Sequence, residues 1–176
     1  DETRVNGSIG YVWVFTNLQE VVYIYSDSRE GQIIRDVLKD FKGILVSDFY
    51  SAYDSVPCEQ QRCLIHLIRD FNDDLLANPF DTEFKRLVVG FGQLLKMIVE
   101  TIDAHGLKAY FLNKHKKDVE KYYESSVETE CSSEVTKKYQ TRLRRNKDRL
   151  FTFLNHNGVP WNNNNAENAI KAFAKI

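Results

Sequence analysis

The apolar residues of this chain mix strand and helix periods up to about residue 64 and keep helical spacing after it, and that change limits the fold classes open to it. Before it, Tyr11-Val12-Trp13-Val14-Phe15 and Val21-Val22-Tyr23-Ile24-Tyr25 are aromatic and β-branched runs with a short polar break between them, the pattern of a β-hairpin. Residues 1–9 offer a preceding strand. Ile33, Ile34, Val37, Leu38 and Phe41 then recur at helical spacing, with Ser28 placed to cap the helix and Gly43 beyond its end. Ile44-Leu45-Val46 is a short, continuously apolar strand of the kind buried on both faces, and it ends at Ser47-Asp48. After residue 64 helical spacing takes over. Residues 64–76 read as a helix stopped by Asn78-Pro79, and Asp81 or Thr82 caps a second, long helix ended by Gly106. Residues 107–125 and 133–154 read as two further helices around a polar loop at 126–132. In the last segment, residues 163–175, Ala166, Ala169, Ile170 and Phe173 form one stripe behind an Asn cap, with Glu167 beside it.

Three strands, a helix and a central apolar strand, followed by helices, describe an α/β chain. The order is compatible with a ribonuclease-H-like fold, whose mixed sheet carries carboxylates at strand ends; composition alone does not separate it from other α/β arrangements. With 176 residues the chain suits one domain with room for an insertion, and it buries a core without disulfides. Its three cysteines, Cys58, Cys63 and Cys131, are too few and odd in number for a disulfide framework and fit a reducing cytoplasm. No apolar run is long enough for a bilayer, and Asp1-Glu2-Thr3-Arg4 does not begin like a signal peptide. The net charge of −1 hides an asymmetry: residues 1–80 hold 7 Lys/Arg against 13 Asp/Glu, and residues 81–176 hold 17 against 12. That places an acidic site in one part and an anion-facing surface in the other. No P-loop, dinucleotide glycine motif, nucleophile elbow or His-Glu-x-x-His is present, which removes the enzyme classes those mark.

Three carboxylates draw attention as a set. Asp48 ends an apolar strand, where α/β sheets commonly place ligands. Asp1 precedes a possible strand, and Glu167 lies on the first turns of the last helix. Alone, each has an ordinary reading: a loop-starting Asp, a solvated terminus, and an i,i+4 partner for Lys171. Together they offer what hard divalent cations need, oxygen ligands from separate elements. Cys63-Leu64-Ile65-His66 is a Cys-x-x-His pair with no second pair at usable spacing, so a buried Cys and a hydrogen-bonded His at a helix start are expected rather than a structural zinc site. Lys137, Lys138, Arg142, Arg144, Arg145, Lys147 and Arg149 crowd a thirteen-residue stretch, and Lys114, His115, Lys116 and Lys117 make a second cluster. Either is a solvated helix face or a phosphate-binding surface.

The blocks Asp1-Glu2-Thr3, Ser47-Asp48-Phe49-Tyr50-Ser51-Ala52-Tyr53, Gln61-Arg62-Cys63-Leu64-Ile65-His66-Leu67-Ile68-Arg69 and Pro160-Trp161-Asn162-Asn163-Asn164-Asn165-Ala166-Glu167, with Ile170-Lys171, resemble those of the insertion sequence 66 family of transposases, in the family's order. The Cys-x-x-His and Trp-Asn-Asn-x-x-Ala-Glu blocks are the specific ones. The resemblance implies a ribonuclease-H-like fold with a DDE triad of Asp1, Asp48 and Glu167. It implies Mg²⁺ or Mn²⁺, as two ions, and cleavage followed by strand transfer at transposon ends. The 119 residues from Asp48 to Glu167 then accommodate a large α-helical insertion, residues 70–150, in a catalytic core of residues 1–69 and 151–176. Cys63, His66 and Asn164 would support the site, and the basic 137–149 segment and Lys171 would face DNA. The implied partners are double-stranded transposon ends and target, bound by a homo-oligomer in the cytoplasm without any membrane. Family members also carry upstream DNA-binding segments and a further C-terminal stretch, while this chain starts on the residue matching the first carboxylate. Two other readings stand beside this one: an inactive module that only binds DNA or assembles, and a ribonuclease-H-like nuclease that cleaves without joining.

Overall fold

The hairpin read from the sequence is formed by β2 (Tyr11–Thr16) and β3 (Val21–Ser26) in a computed structural model that describes residues 2–4, 10–17, 19–28 and 31–173. Its turn is closed by Asn17, whose Oδ1 accepts the N–H groups of Gln19 (2.8 Å) and Glu20 (2.7 Å). A short β1 (Glu2–Arg4) pairs antiparallel on the other side of β2. Of the expected first strand, residues 1 and 5–9 lie outside the described residues. The chain divides into two units, Asp1–Cys63 with Asn162–Ile176, and Leu64–Trp161.

In the first unit, β2 is the central strand and buries both faces. Trp13, fully buried, packs with Ile34 and Leu38 of α1 (Gln32–Leu38) and with Tyr53 and Val56. The opposite face carries Val12 and Val14; there Tyr23, the cross-strand partner of Val14, donates its hydroxyl to Ala169 O (3.2 Å) on the final helix. The expected Ser28 cap is not used: α1 starts after Gly31, which supplies no side-chain cap. β4 (Ile44–Ser47) pairs parallel with β5 (Glu59–Arg62) across a 3₁₀ turn at Ser51–Ser55. The structure corrects one expectation here and adds a strand. Ile44, Leu45 and Val46 are half-buried rather than buried on both faces, because β4 has one strand partner among the described residues. β5 was not legible as a strand, since Glu-Gln-Gln-Arg is polar, yet Gln60, Gln61 and Arg62 are buried. The Gln60 Nε2 donates to Tyr53 O (2.7 Å) and Val56 O (3.2 Å).

The second unit is helical. α2 (Leu64–Ala77) and α3 (Thr82–His105) follow the expected spacing; Asp81 caps α3 by accepting Phe84 N–H (2.9 Å), and Gly106 ends it at φ 72°. The helix expected over 107–125 is instead four pieces: α4 (Ala109–Leu112), a 3₁₀ turn (Asn113–His115), α5 (Lys116–Tyr122) and a π turn (Tyr123–Val127). Val119, Tyr122, Tyr123 and Val127 are all buried, and the wider π turn lets adjacent Tyr122 and Tyr123 both face inward. The helix expected over 133–154 also breaks, into α6 (Glu134–Arg145), α7 (Lys147–Leu150) and a 3₁₀ turn (Thr152–Asn155). Leu150 to Leu154 are buried consecutively, which no single helical stripe permits. The core is aromatic: Phe71 meets Phe84, Phe91 and Tyr139 at ring separations of 6.1, 5.4 and 4.9 Å. The last helix, α8 (Asn164–Phe173), returns to the first unit and packs on β2.

Candidate functional site

Asp48 follows the last residue of β4 and is half-buried. Its Oδ1 accepts the N–H of Tyr50 (2.9 Å), an Asx turn that fixes the carboxylate against the chain that follows. Beneath it lies Arg62, 1% exposed, in register with Ser47 across the parallel pair. The Arg62 Nη1 donates to Ser47 Oγ (2.7 Å) and to the main-chain oxygen of Asp48 (2.8 Å), and Nη2 pairs with Asp54. The ladder continues past β5 through Cys63 N–H to Ser47 O (2.7 Å).

Glu167 stands on the first turn of α8, with its side chain 13% exposed. Asn163 starts that turn: its carbonyl accepts the N–H groups of Ala166 (3.0 Å) and Glu167 (3.1 Å). Its own N–H donates to the buried Cys63 sulfur (3.4 Å), and that sulfur and a Glu167 carboxylate oxygen lie within 4.8 Å of each other. Lys171 Nζ sits 4.0 Å from the Glu167 carboxylate and is largely exposed. Cys63 therefore ties the end of β5 to the start of the helix that carries Glu167. Asp1 lies outside the described residues. His66 stands on the first turn of α2, in the second unit. Asn164 is exposed, with its N–H on Asn162 Oδ1 (3.2 Å).

The basic stretch on α6 and α7 is matched by acids of its own unit. Lys137 pairs with Glu134, Lys138 with Asp74, Arg142 with Asp70, Arg144 with Glu128 and Lys147 with Glu120, all at 2.7–3.0 Å. Hydrogen bonds from Lys138 and Tyr139 hold the Asp74 carboxyl below the usual carboxylate range. Arg145 is exposed and Arg149 half-buried. In the second cluster His115 is turned inward, between Thr101 Oγ1 (2.8 Å) and Asp118 Oδ2 (3.0 Å), so it adds no surface charge there.

Arg62, Asp54 and Asn163 were missed as site residues. Hydropathy had no signal for them, because a polar strand and an Asn-rich stretch both read as loop. The one cue was position: Arg62 directly precedes Cys63, and Asn163 lies within the block that ends in Glu167.

Among the described residues no helix is long and apolar enough to cross a membrane. Comparison with curated proteins and with solved structures gave no match. The family model described as Transposase IS66 family matches residues 1–175. With nearly its whole length matched, the chain belongs to the Transposase IS66 family.

Proposed function

We propose that this chain is the catalytic core of a DDE transposase, cleaving DNA strands at transposon ends and transferring them to a target. Asp1, Asp48 and Glu167 are its metal-binding carboxylates in this reading. The observation that carries it, beside the family, is the placing of the two described carboxylates. Both belong to the first unit, one at the end of a parallel strand and one on the first turn of the helix packed on β2. Each is fixed from behind, Asp48 by Tyr50 N–H and Glu167 by the turn that starts at Asn163.

The donor set fits Mg²⁺ or Mn²⁺: carboxylate oxygens are the hard ligands such ions take, whereas the Cys63 thiol is soft and already accepts an N–H. When bound, a pair of such ions stabilises negative charge on the attacking and leaving oxygens of a phosphodiester. The protein's share is to hold Asp48 and Glu167 ready and to bring a DNA phosphate to them. Lys171, one turn beyond Glu167, is placed to meet that phosphate.

The ribonuclease-H-like sheet is part of the proposal. β1 and β4 each have one edge without a strand beside it among the described residues, and pairing those edges makes one mixed sheet. Residues 70–150 are then an insertion. In support, Leu64 N–H donates to Trp161 O (3.0 Å), so the two ends of the second unit meet, as insertion at one place in a host domain requires. A module that only binds DNA through the 137–149 segment has less support, because the five pairs above already neutralise much of that stretch.

The test uses the full-length protein and labelled transposon-end duplex. Mn²⁺-dependent cleavage lost in Asp48→Asn and in Glu167→Gln, with DNA binding kept, is the expected result. Salt-sensitive binding with no metal-dependent cleavage, or cleavage unchanged in Asp48→Asn, would overturn the reading. A pre-cleaved donor end separates joining from cleavage alone.

A further inference from the structure

We propose that Arg62 is a positioning residue for Asp48, with Asp54 as the counter-ion that lets it work from inside the protein. The proposal rests on the reading of Asp48 as a metal ligand. A guanidinium 1% exposed is costly to bury unless it is paired and its donors are used. Here Nη1 serves the end of β4 and Nη2 serves Asp54. Nη1 bridges Ser47 Oγ (2.7 Å) and Asp48 O (2.8 Å), and Ser47 Oγ itself donates to the same Asp48 oxygen (3.1 Å). The parallel register Ser47↔Arg62 brings the guanidinium there.

The guanidinium grips the main chain of Asp48 and leaves its carboxylate to the Tyr50 N–H. A direct pair with that carboxylate would compete with a cation for it. Asp54, taking Nη2, absorbs the charge instead, so the clamp adds rigidity without placing an unbalanced positive charge beside the metal site. This division of labour is what a supporting residue of a carboxylate metal site needs: orientation of the ligand with the ligand oxygens still available. Tyr53 reinforces it. It is fully enclosed in the Trp13 core, and its carbonyl is held by Gln60, so the 3₁₀ turn that carries Asp54 is anchored from both sides.

The experiment is a Mn²⁺ titration of the full-length protein without DNA, followed by the electron paramagnetic resonance signal of free Mn²⁺, with thermal unfolding and transposon-end affinity measured on each variant. Asp48→Asn sets the reference for loss of a ligand. Arg62→Lys keeps the charge but cannot span Ser47, Asp48 and Asp54 together, and its Mn²⁺ dissociation constant is expected to rise by about tenfold or more. Ser47→Ala removes one anchor and leaves the guanidinium in place, so it serves as the milder variant if Arg62→Lys folds poorly; its Mn²⁺ affinity falls by a smaller factor. DNA-end affinity stays unchanged in both, a pattern a merely structural role would not give. If Asp48→Asn binds Mn²⁺ like the wild type, the ligand reading fails and this proposal with it. If Asp48→Asn loses Mn²⁺ while Arg62→Lys and Ser47→Ala bind it normally, the site stands and the positioning role of Arg62 is overturned.

Discussion

The two units bury polar groups for different ends. In the second, the buried polar side chains join helices: His115 bridges Thr101 and Asp118, and Gln140 donates to Ser126 O (3.1 Å) and Thr129 O (2.9 Å). Its charges stay near the surface in pairs, around a core of edge-on and tilted rings. In the first unit, Ser47 and Asn163 are buried within four residues of the two candidate ligands, and Gln61 and Arg62 are buried on the strand paired with β4. Burial of polar groups is costly, so a concentration of it at strand and helix ends marks a place where geometry matters more than stability. The helical unit shows what the same chain does where packing alone decides.

That contrast can be broken most sharply at Asp48. Asp48→Asn keeps an oxygen for Tyr50 N–H and removes the anionic ligand, so strand cleavage is expected to fall by roughly a thousandfold, several kcal/mol of lost transition-state stabilisation. The unfolding midpoint should barely move. Phe71→Ala in the other unit should do the reverse. It empties a site lined by three rings and costs about 3–5 kcal/mol of stability, read by denaturant unfolding.

A smaller effect tests how the helical unit is fastened. Asp81 caps α3 and accepts the Ser133 hydroxyl; Glu83 accepts the N–H groups of Ser132 (2.9 Å) and Ser133 (2.7 Å). The bond from Phe84 N–H, then that from Ser133, holds the Asp81 carboxyl below its ordinary value. A depressed carboxylate contributes stability above its unfolded pKa, near 4 for an ordinary Asp, and loses it as pH falls through the lower folded value. Asp81→Ala is expected to cost about 1 kcal/mol at neutral pH. Asp81→Asn keeps a cap and removes the titration, so melting curves below about pH 4 should fall less steeply than in the wild type.

The smallest effects separate the two sets of cations. Arg144→Ala, which breaks an exposed pair with Glu128, should change stability by about 0.2–1 kcal/mol and leave the salt dependence of DNA binding nearly unchanged. Lys171→Ala should lower the slope of log K against log salt by about 1, the signature of one lost phosphate contact. Equal slopes in the two variants would remove the distinction between the surfaces.

Much of the frame was legible. The β2–β3 hairpin follows from two aromatic and β-branched runs around a polar break, and α2, α3 with its Asp81 cap and Gly106 stop, and the stripe of α8 follow from periodicity, because each helix hides one face and shows another. Asp48 at a strand end and Glu167 on a first turn were readable for the same reason. β5 was not, since its burial is polar and its partners, Ser47 and Asp54, lie 15 and 8 residues away. The breaks near Tyr123 and Phe151 were hidden too: consecutive buried residues look like a strong helix in composition and prevent one in space. The basic stretch misled in the same way, because charge density along a chain says nothing of the acids that the fold brings beside it.

By itself the sequence determined an α/β chain, the order of β2, β3, α1, β4, α2, α3 and α8, and the blocks that place it in a transposase family. These depend on local periodicity and on residue identities that need no neighbours to be read. Only the tertiary structure decided which polar residues are enclosed and which cations are already paired. It alone set Arg62 behind Asp48 and drew Asn163 to the sulfur of Cys63, a hundred residues away. Those contacts join segments distant along the chain, and their energies depend on burial and on the partner's approach, neither of which a linear pattern encodes.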